Sequence, residues 1–357
     1  AAILEEDGQI GTVRVVGDTS ITERLVVPAG ADITITDDGS AHTVSSAYRL
    51  HVEAGGHLTI DGEDLTFNKG LVSCAGEFVL RNGVLDMGGS EFRADYTPHT
   101  ESGGVVVCGE QARFIMDGGV IRSAKVLAST GGVRVCCNAS FVMNGGTITD
   151  IHNESQTDAG PVLVYAGNTL LGKGAASFTM NGGVIENNTN YRGGGVHVTG
   201  KEYTYRASME MNGGIIRNNT CNGFQSVKNF ASGGGGIYIS GNAQVVMNDG
   251  KIVGNTVNGG QGGGVCAIDG YIDTFPGGPN SPGAWPIEQY AQYYPAAFTM
   301  NGGEISGNSA IKGDTEVDAA TGGGVYIASN CVTLRGGCIE NNYAEQQGGG
   351  VYIGSIP

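Results

Sequence analysis

The sequence has no apolar run long enough to cross a membrane as a helix. No 18 consecutive apolar residues occur among its 357, whereas a membrane-spanning helix needs about 20. Basic residues are also scarce, with 19 Lys and Arg against 35 Asp and Glu, for a formal net charge of −16. Nucleic acids and anionic membranes attract basic stripes, and this chain has none. We therefore expect neither membrane insertion nor a nucleic-acid partner.

Familiar catalytic and cofactor motifs are missing too. There is no G-x-S-x-G nucleophile turn and no Walker glycine–lysine loop. The six histidines are scattered, and the eight cysteines include no C-x-x-C pair and no zinc spacing. These absences predict no cofactor and no metal site built on a known motif.

Glycine is abundant, at 64 residues, and much of it lies in a repeat. The best-preserved copy, Phe298–Ile327, begins FTMNGGEI and ends GGGVYI. Close copies occupy 178–198 and 209–239, and the starts of successive copies are 27 to 53 residues apart. More degenerate copies of the repeat start at Phe78, Phe114, Phe141, Val245 and Val332. Such a period predicts a solenoid, a propeller or another repeat array.

Each copy encodes three short strands: F-x-M, then x-I after Gly-Gly, then V-x-I or V-x-V after the second glycine run. One repeat cannot bury its own apolar face, so like residues should stack in columns. A methionine column is predicted at Leu80, Met116, Met143, Met180, Met211, Met247, Met300 and Leu334. A valine column is predicted at Val107, Val135, Val164, Val198, Ile239, Ala267, Ile327 and Ile353. A hydrogen-bonded asparagine ladder is predicted at Asn188, Asn219, Asn255, Asn308 and Asn342.

The three strands, the Asn turn and the glycine corner resemble the right-handed parallel β-helix, an all-β fold. The resemblance is strong from about Leu71 onward and loose before it; a β-propeller is the alternative. It implies nine or ten coils, with Met211, Ile216 and Ile239 facing inward in one coil. We expect residues 1–70 to form an N-terminal cap and first coils, and residues 71–357 the regular repeats of one continuous domain. Because the last strand stops without a cap, we expect the native chain to continue.

Long insertions flank only the third strands, so we expect them to wall a groove over the outer face of that sheet. Arg134, His197, Tyr238 and Tyr326 should line it, since tyrosine rings suit the faces and hydroxyls of sugars. The full outward series reads Val106, Arg134, Leu163, His197, Tyr238, Cys266, Tyr326 and Tyr352. The alternative is an aromatic ladder that only stabilises the sheet.

The largest insertion, Ile268–Ala297, holds the single Trp285 together with Tyr271 and Glu288 as further candidate sugar contacts. Glycoside cleavage uses two carboxyl groups. We predict Asp269 and Asp273 as the catalytic pair, because they follow the third strand directly. Other candidate carboxylates on the groove rims are Asp150, Glu154, Asp158, Asp314, Glu316 and Asp318. The last three alternate along one loop and could hold a structural Ca²⁺.

The FTMNGG-x-I-x-x-N…GGGVYI repeat resembles secreted or surface-exposed β-helix proteins of bacteria, especially of gut Gram-positives. It is also similar, less specifically, to the β-helix part of glycoside hydrolase family 136, the lacto-N-biosidases. The resemblance implies an extracellular or cell-surface protein that acts on host or plant oligosaccharides, with a glycoside hydrolase as the leading hypothesis. The alternative is a non-catalytic adhesin or glycan-binding stalk. The paired catalytic Asp residues of that hydrolase family have no matching pair here.

Two cysteines repeat a position. Cys108 and Cys136 lie at the same place in successive repeats. They are expected to stack, as buried thiols that act as small apolar groups or as a disulfide.

Overall fold

Two long sheets form the walls of the molecule, and the chain passes between them once in every coil. The computed structural model describes residues 10–88, 103–126, 131–153, 160–169, 171–202, 204–223, 233–269, 295–313 and 319–354. Within these ranges every regular element is a β-strand. They contain no helix that is long and apolar enough to span a membrane.

The smaller sheet consists of the predicted third strands, each parallel to its neighbours, with one short antiparallel addition. Its strands in order are β3 (Val26–Val27), β6 (Leu50–Val52), β8 (Val72–Cys74), β10 (Val105–Cys108), β13 (Val133–Cys136), β16 (Val162–Thr169), β21 (Val196–Gly200), β25 (Ile237–Gly241), β29 (Val265–Ile268), β33 (Val325–Ala328) and β37 (Val351–Ile353). The addition is β17 (Gly172–Gly174), which pairs antiparallel with β16.

The larger sheet carries the other strands of each coil. The F-x-M strands and their N-terminal counterparts are β1 (Ile10–Val15), β4 (Asp32–Asp37), β7 (His57–Asn68), β9 (Glu77–Asp86), β11 (Arg113–Met116), β14 (Ala139–Met143), β18 (Ala176–Met180), β22 (Ala207–Met211), β26 (Ala243–Met247), β30 (Ala296–Met300) and β34 (Val332–Leu334). The second strands, which β7 and β9 already include, are β2 (Thr19–Ile21), β5 (His42–Ser46), β12 (Val120–Val126), β15 (Thr147–Asn153), β19 (Val184–Glu186), β23 (Ile215–Arg217), β27 (Lys251–Val253), β31 (Glu304–Ser306) and β35 (Cys338–Glu340).

A short extra strand follows the ladder asparagine in the later coils, where the sequence predicted only loop. These strands are β20 (Thr189–Asn190), β24 (Thr220–Asn222), β28 (Thr256–Asn258), β32 (Ser309–Ile311) and β36 (Tyr343–Ala344). Their inward residues Cys221, Val257 and Ala310 form a small apolar cluster of their own. The sequence signal was weak, because these strands are only two or three residues long and most contain a single apolar residue or none.

The all-β parallel solenoid is confirmed. Met211, Ile216 and Ile239 are fully buried in the main core, as expected for one coil. The methionine and valine columns stack in register from coil to coil. In the described ranges the smaller sheet contains eleven parallel strands, one more than the largest expected number of coils. The difference arises near the N-terminus, where strands of two or three residues lack the glycine signature.

The second glycine of each Asn-Gly-Gly corner is required by its conformation and by its neighbours. Gly214 has φ +81°, and a Cβ there would lie 2.6 Å from Met180 Cε of the preceding coil. A side chain would therefore be strained by the backbone and would also displace the methionine column. The corner thus fixes the position at which the F-x-M strand ends and the second strand of the coil begins.

The predicted asparagine ladder is confirmed. Each Asn side chain donates to the Oδ1 of the next, at 2.8 to 3.0 Å. Each Nδ2 also donates to an isoleucine carbonyl of the preceding coil, at 2.8 to 3.2 Å. The ladder satisfies the polar groups of a turn that is buried, which otherwise would cost free energy.

Candidate functional site

The predicted groove residues form one straight row on the outer side of the smaller sheet. Register pairs each member with the next, from strand β10 to strand β37. We call it the outer row: Val106, Arg134, Leu163, His197, Tyr238, Cys266, Tyr326 and Tyr352. Because side chains alternate along a strand, the neighbours of each member point into the main core.

The outer row is covered, which differs from the open groove that the sequence predicted. Tyr238 is 5 % exposed, Tyr326 is 8 % exposed and His197 is fully buried. Tyr352, at the end of the row, is partly exposed.

The C-terminal half of the outer row is an apolar cluster separate from the main core. Tyr238, Cys266 and Tyr326 pack there with two further residues of the same face, Ile268 and Ala328. The rings of Tyr326 and Tyr352 stack with centroids 5.8 Å apart and planes 16° apart. Burial raises the pKa of the Tyr326 hydroxyl to about 12, so it is a neutral donor at physiological pH.

Polar side chains occupy the middle of the same face. The ring of His197 lies 5.0 Å from that of Tyr238. Its Nε2 is 3.3 Å from Ser240 Oγ, and the Ser240 hydroxyl donates to Thr199 Oγ1 at 3.0 Å. This chain of buried hydrogen bonds fixes the imidazole beside the tyrosine ring. Such a network orients side chains, since each polar group has one preferred partner.

Arg134, earlier in the outer row, packs on an aromatic ring. Its guanidinium carbon lies 5.2 Å from the ring centroid of Tyr165, in cation–π geometry. Arg134 is only 6 % exposed. The residue therefore joins the neighbouring strands β13 and β16 and does not project into solvent.

Asp269 comes directly after strand β29, and its carboxylate bridges two backbone segments. Its Oδ1 accepts a hydrogen bond from the Ala296 amide at 2.8 Å, and its Oδ2 accepts one from the Asn330 amide at 3.2 Å. The side chain is 4 % exposed. Both oxygens thus hold backbone together, which is a structural use of the carboxylate. The catalytic role predicted for it stays a prediction.

The other predicted site residues divide into two groups. Asp150 is exposed and has a left-handed backbone, φ 55°, in strand β15 of the larger sheet, so it does not border the outer row. The remaining candidates lie outside the described residues. These are Asp273, Tyr271, Trp285, Glu288, Glu154, Asp158, Asp314, Glu316 and Asp318.

One cluster was missed at the level of sequence. Cys108 and Cys136 stack in register as predicted, and as free thiols. Cys137 joins them, so that the three sulfur atoms lie within 4.8 Å of one another. No local sequence motif could reveal this cluster, because its sulfur atoms come from two different coils. The available signal was the repeated position of Cys108 and Cys136.

The three thiols differ in pKa, because they are hydrogen-bonded to one another. Hydrogen bonds from Cys108 and Cys136 lower the pKa of Cys137 to about 3. The hydrogen bonds that Cys108 donates to Cys136 and to Cys137 raise the pKa of Cys108. The two neighbouring thiols thus favour the ionised form of Cys137.

Comparisons with protein-family models, with curated proteins and with solved structures found no match. The function must therefore be inferred from the fold and from the geometry of these sites.

Proposed function

We propose that this chain is an extracellular or cell-surface glycan-binding protein of the parallel β-helix type, with an oligosaccharide as its ligand. The observation that carries the proposal is the outer row, which ends in the stacked Tyr326 and Tyr352. A partly exposed tyrosine such as Tyr352 offers a flat apolar face and a hydroxyl, which match the two sides of a sugar ring. The stack behind it keeps that ring in place before the ligand arrives.

The engagement of Asp269 favours binding over hydrolysis. A general acid must present its carboxyl group to the glycosidic oxygen. The carboxylate of Asp269 instead accepts two backbone amides and is buried. Of the two carboxylates predicted for catalysis, the one in the described part of the chain thus already accepts two backbone hydrogen bonds.

The test is a panel of host and plant oligosaccharides, assayed for binding and for cleavage in parallel. The proposal expects at least one glycan to bind, and Tyr352→Ala to weaken its binding at least tenfold, about 1.4 kcal/mol. Glu210→Ala, an exposed change on the F-x-M strands of the opposite sheet, is the matched control and should bind normally. Absence of binding across the panel, or equal losses in both variants, would refute the proposal.

A glycoside hydrolase, as in family 136, is the second candidate function. Its supporting observation is the place of Asp269, at the end of a third strand where the largest insertion begins. Asp273→Asn is the cleaner test, because Asp269→Asn would replace a carboxylate oxygen that accepts a backbone amide. If turnover is found, Asp273→Asn should abolish it and leave binding intact. Full activity of this variant would exclude Asp273 from catalysis.

A further inference from the structure

Three cysteine sulfur atoms converge on the outer side of the smaller sheet, near its N-terminal half. The Sγ atoms of Cys108, Cys136 and Cys137 all lie within 4.8 Å of one another. Sulfur ligands around one tetrahedral ion with bonds of about 2.3 Å are separated by about 3.8 Å. The three thiols therefore need only small side-chain adjustments to share an ion.

The backbone is shaped to bring the third thiol to this side. Cys108 and Cys136 face outward because they are register partners on adjacent parallel strands. In an extended chain Cys137 would point the opposite way. Instead Cys137 and Asn138 both adopt left-handed backbone conformations, with φ 59° and 69°. Left-handed conformation is unfavourable for cysteine, and such outliers concentrate where a side chain must be aimed.

The turn that aims Cys137 is held by the next coil. The amide of Asn138 donates to the Ala175 carbonyl at 2.7 Å, and the Asn138 side chain accepts the Ala175 amide at 2.9 Å. Thr169 Oγ1 lies 3.4 Å from Cys137 Sγ. The thiol therefore has a fixed backbone and a hydroxyl neighbour, as metal-binding side chains commonly do.

We infer that Cys108, Cys136 and Cys137 form a binding site for a thiophilic divalent metal ion such as Zn²⁺, which would join two adjacent coils. Soft thiolate ligands select zinc and related ions over Mg²⁺ and Ca²⁺. Arg134 lies two residues before Cys136 on the same outer face. Three thiolates, one divalent cation and this guanidinium sum to zero charge, which favours a divalent over a monovalent ion at a largely buried site.

The site also leaves room for access. Cys108 is partly exposed, whereas Cys136 is fully buried and Cys137 is 5 % exposed. An ion can thus reach the cluster from the Cys108 side. A water molecule on that side would complete a four-coordinate shell, as in zinc sites with three protein ligands. Binding displaces the thiol protons to solvent.

The experiment is a titration of the full chain, reduced and stripped of metal under anaerobic conditions, with Cd²⁺ alone. Cadmium bound to thiolate gives an ultraviolet charge-transfer band, and Zn²⁺ is then added as a competitor. We expect one Cd²⁺ per chain, displacement by Zn²⁺ but not by excess Ca²⁺, and a rise in melting temperature with bound metal.

Matched cysteine variants locate the ion. Cys108→Ser and Cys137→Ser should each weaken Cd²⁺ binding at least 100-fold, whereas Cys331→Ser and Cys338→Ser, changes at two exposed thiols, should leave it unchanged. If Cys108→Ser does not fold, Cys108→Ala at the same partly exposed position replaces it. The inference is overturned if the reduced wild-type chain gives no charge-transfer band. It is equally overturned if the folded variants at the cluster retain full affinity.

Discussion

At the scale of single residues, asparagine has two different uses in this fold. One ladder is buried behind the second strands, with Asn219, Asn255 and Asn308 fully inaccessible. A second, exposed ladder runs along the Asn-Gly-Gly corners with side-chain bonds of 2.7 to 3.0 Å. Water can replace the bonds of the exposed ladder but not those of the buried one. The same residue type should therefore contribute very differently in the two places.

Asn255→Ala tests this difference. The change removes the two hydrogen bonds that Asn255 Nδ2 donates, to Asn308 Oδ1 and to the Ile216 carbonyl. It also removes the acceptor of the backbone and side-chain amides of Asn219, and all of these groups are buried. We expect a loss of about 3 kcal/mol in the free energy of unfolding, because unsatisfied buried polar groups cost about 1–3 kcal/mol each. Urea denaturation of the variant and of the exposed-ladder control Asn248→Ala gives the comparison. The control should lose about 1 kcal/mol or less; equal losses would show that burial is not what matters.

Tyr238 also departs from its expected behaviour as a surface residue. The sequence predicted that Tyr238 lines an open groove, and an outward side chain there could be removed with little effect on folding. Since the side chain is 5 % exposed and packs in the apolar cluster of the outer row, we instead expect a loss of about 3 kcal/mol. Tyr238→Phe, which keeps the ring, should lose far less. A change below about 0.5 kcal/mol for Tyr238→Ala in urea denaturation would contradict the burial.

At the scale of strands, aromatic stacking distinguishes coils that otherwise share one pattern. Phe78, Phe114, Phe141 and Phe178 form a continuous stack, with successive centroids 5.0, 4.7 and 4.6 Å apart. Phe298 holds the same position, but its register partners are Val245 and Val332. Each stacked aromatic pair contributes about 0.5–1.5 kcal/mol beyond the area it buries.

Phe141→Leu and Phe298→Leu therefore form a matched pair. Both residues are fully buried, so the change in apolar volume is the same. Phe141→Leu removes two stacking contacts, with Phe114 and Phe178, whereas the register partners of Phe298 are aliphatic. We therefore expect Phe141→Leu to be more destabilising than Phe298→Leu by about 1–3 kcal/mol. Thermal and urea unfolding of both variants measure the difference. Equal destabilisation would mean that the rings contribute only buried area.

An ion pair ties strand β27 to strand β31 across coils. Lys251 Nζ lies 2.6 Å from Glu304 Oε2 on the exposed side of the larger sheet. The hydrogen bond raises the pKa of Lys251 and lowers that of Glu304. The lowered carboxyl contributes stability that is present above its ordinary value of 4.5 and is lost as the pH falls through the lowered value.

Glu304→Gln checks this dependence. Wild type should be slightly more stable than the variant near neutral pH, and the difference should disappear as the pH falls through the lowered pKa of Glu304. On the alkaline side, the contribution of Lys251 is present below its ordinary 10.5 and is lost as the pH rises through its raised value. Urea midpoints measured across this range test the sign. A gap that widens in acid would contradict it.

At the scale of the whole molecule, the sequence predicted what depends on stacking. In a parallel solenoid like residues lie on like, so the columns through Met211, Ile239 and Asn255 could be read from the repeat alone. Burial of the outer row could not, because the repeat tells which way each side chain faces but not how exposed that side chain is. The three-thiol cluster was hidden for a related reason. Its atoms meet only through the register of β10 with β13 and a left-handed turn at Cys137.

The outer side of the smaller sheet is the face that we propose for ligand binding. Amide hydrogen exchange, measured with and without a glycan that the panel identifies, tests this assignment most directly. We expect slower exchange on ligand addition in strands β33 and β37 around Tyr326 and Tyr352, and no change in the F-x-M strands β22 and β26 on the opposite sheet. Protection confined to the F-x-M strands, with Tyr352 and its neighbours unchanged, would contradict it.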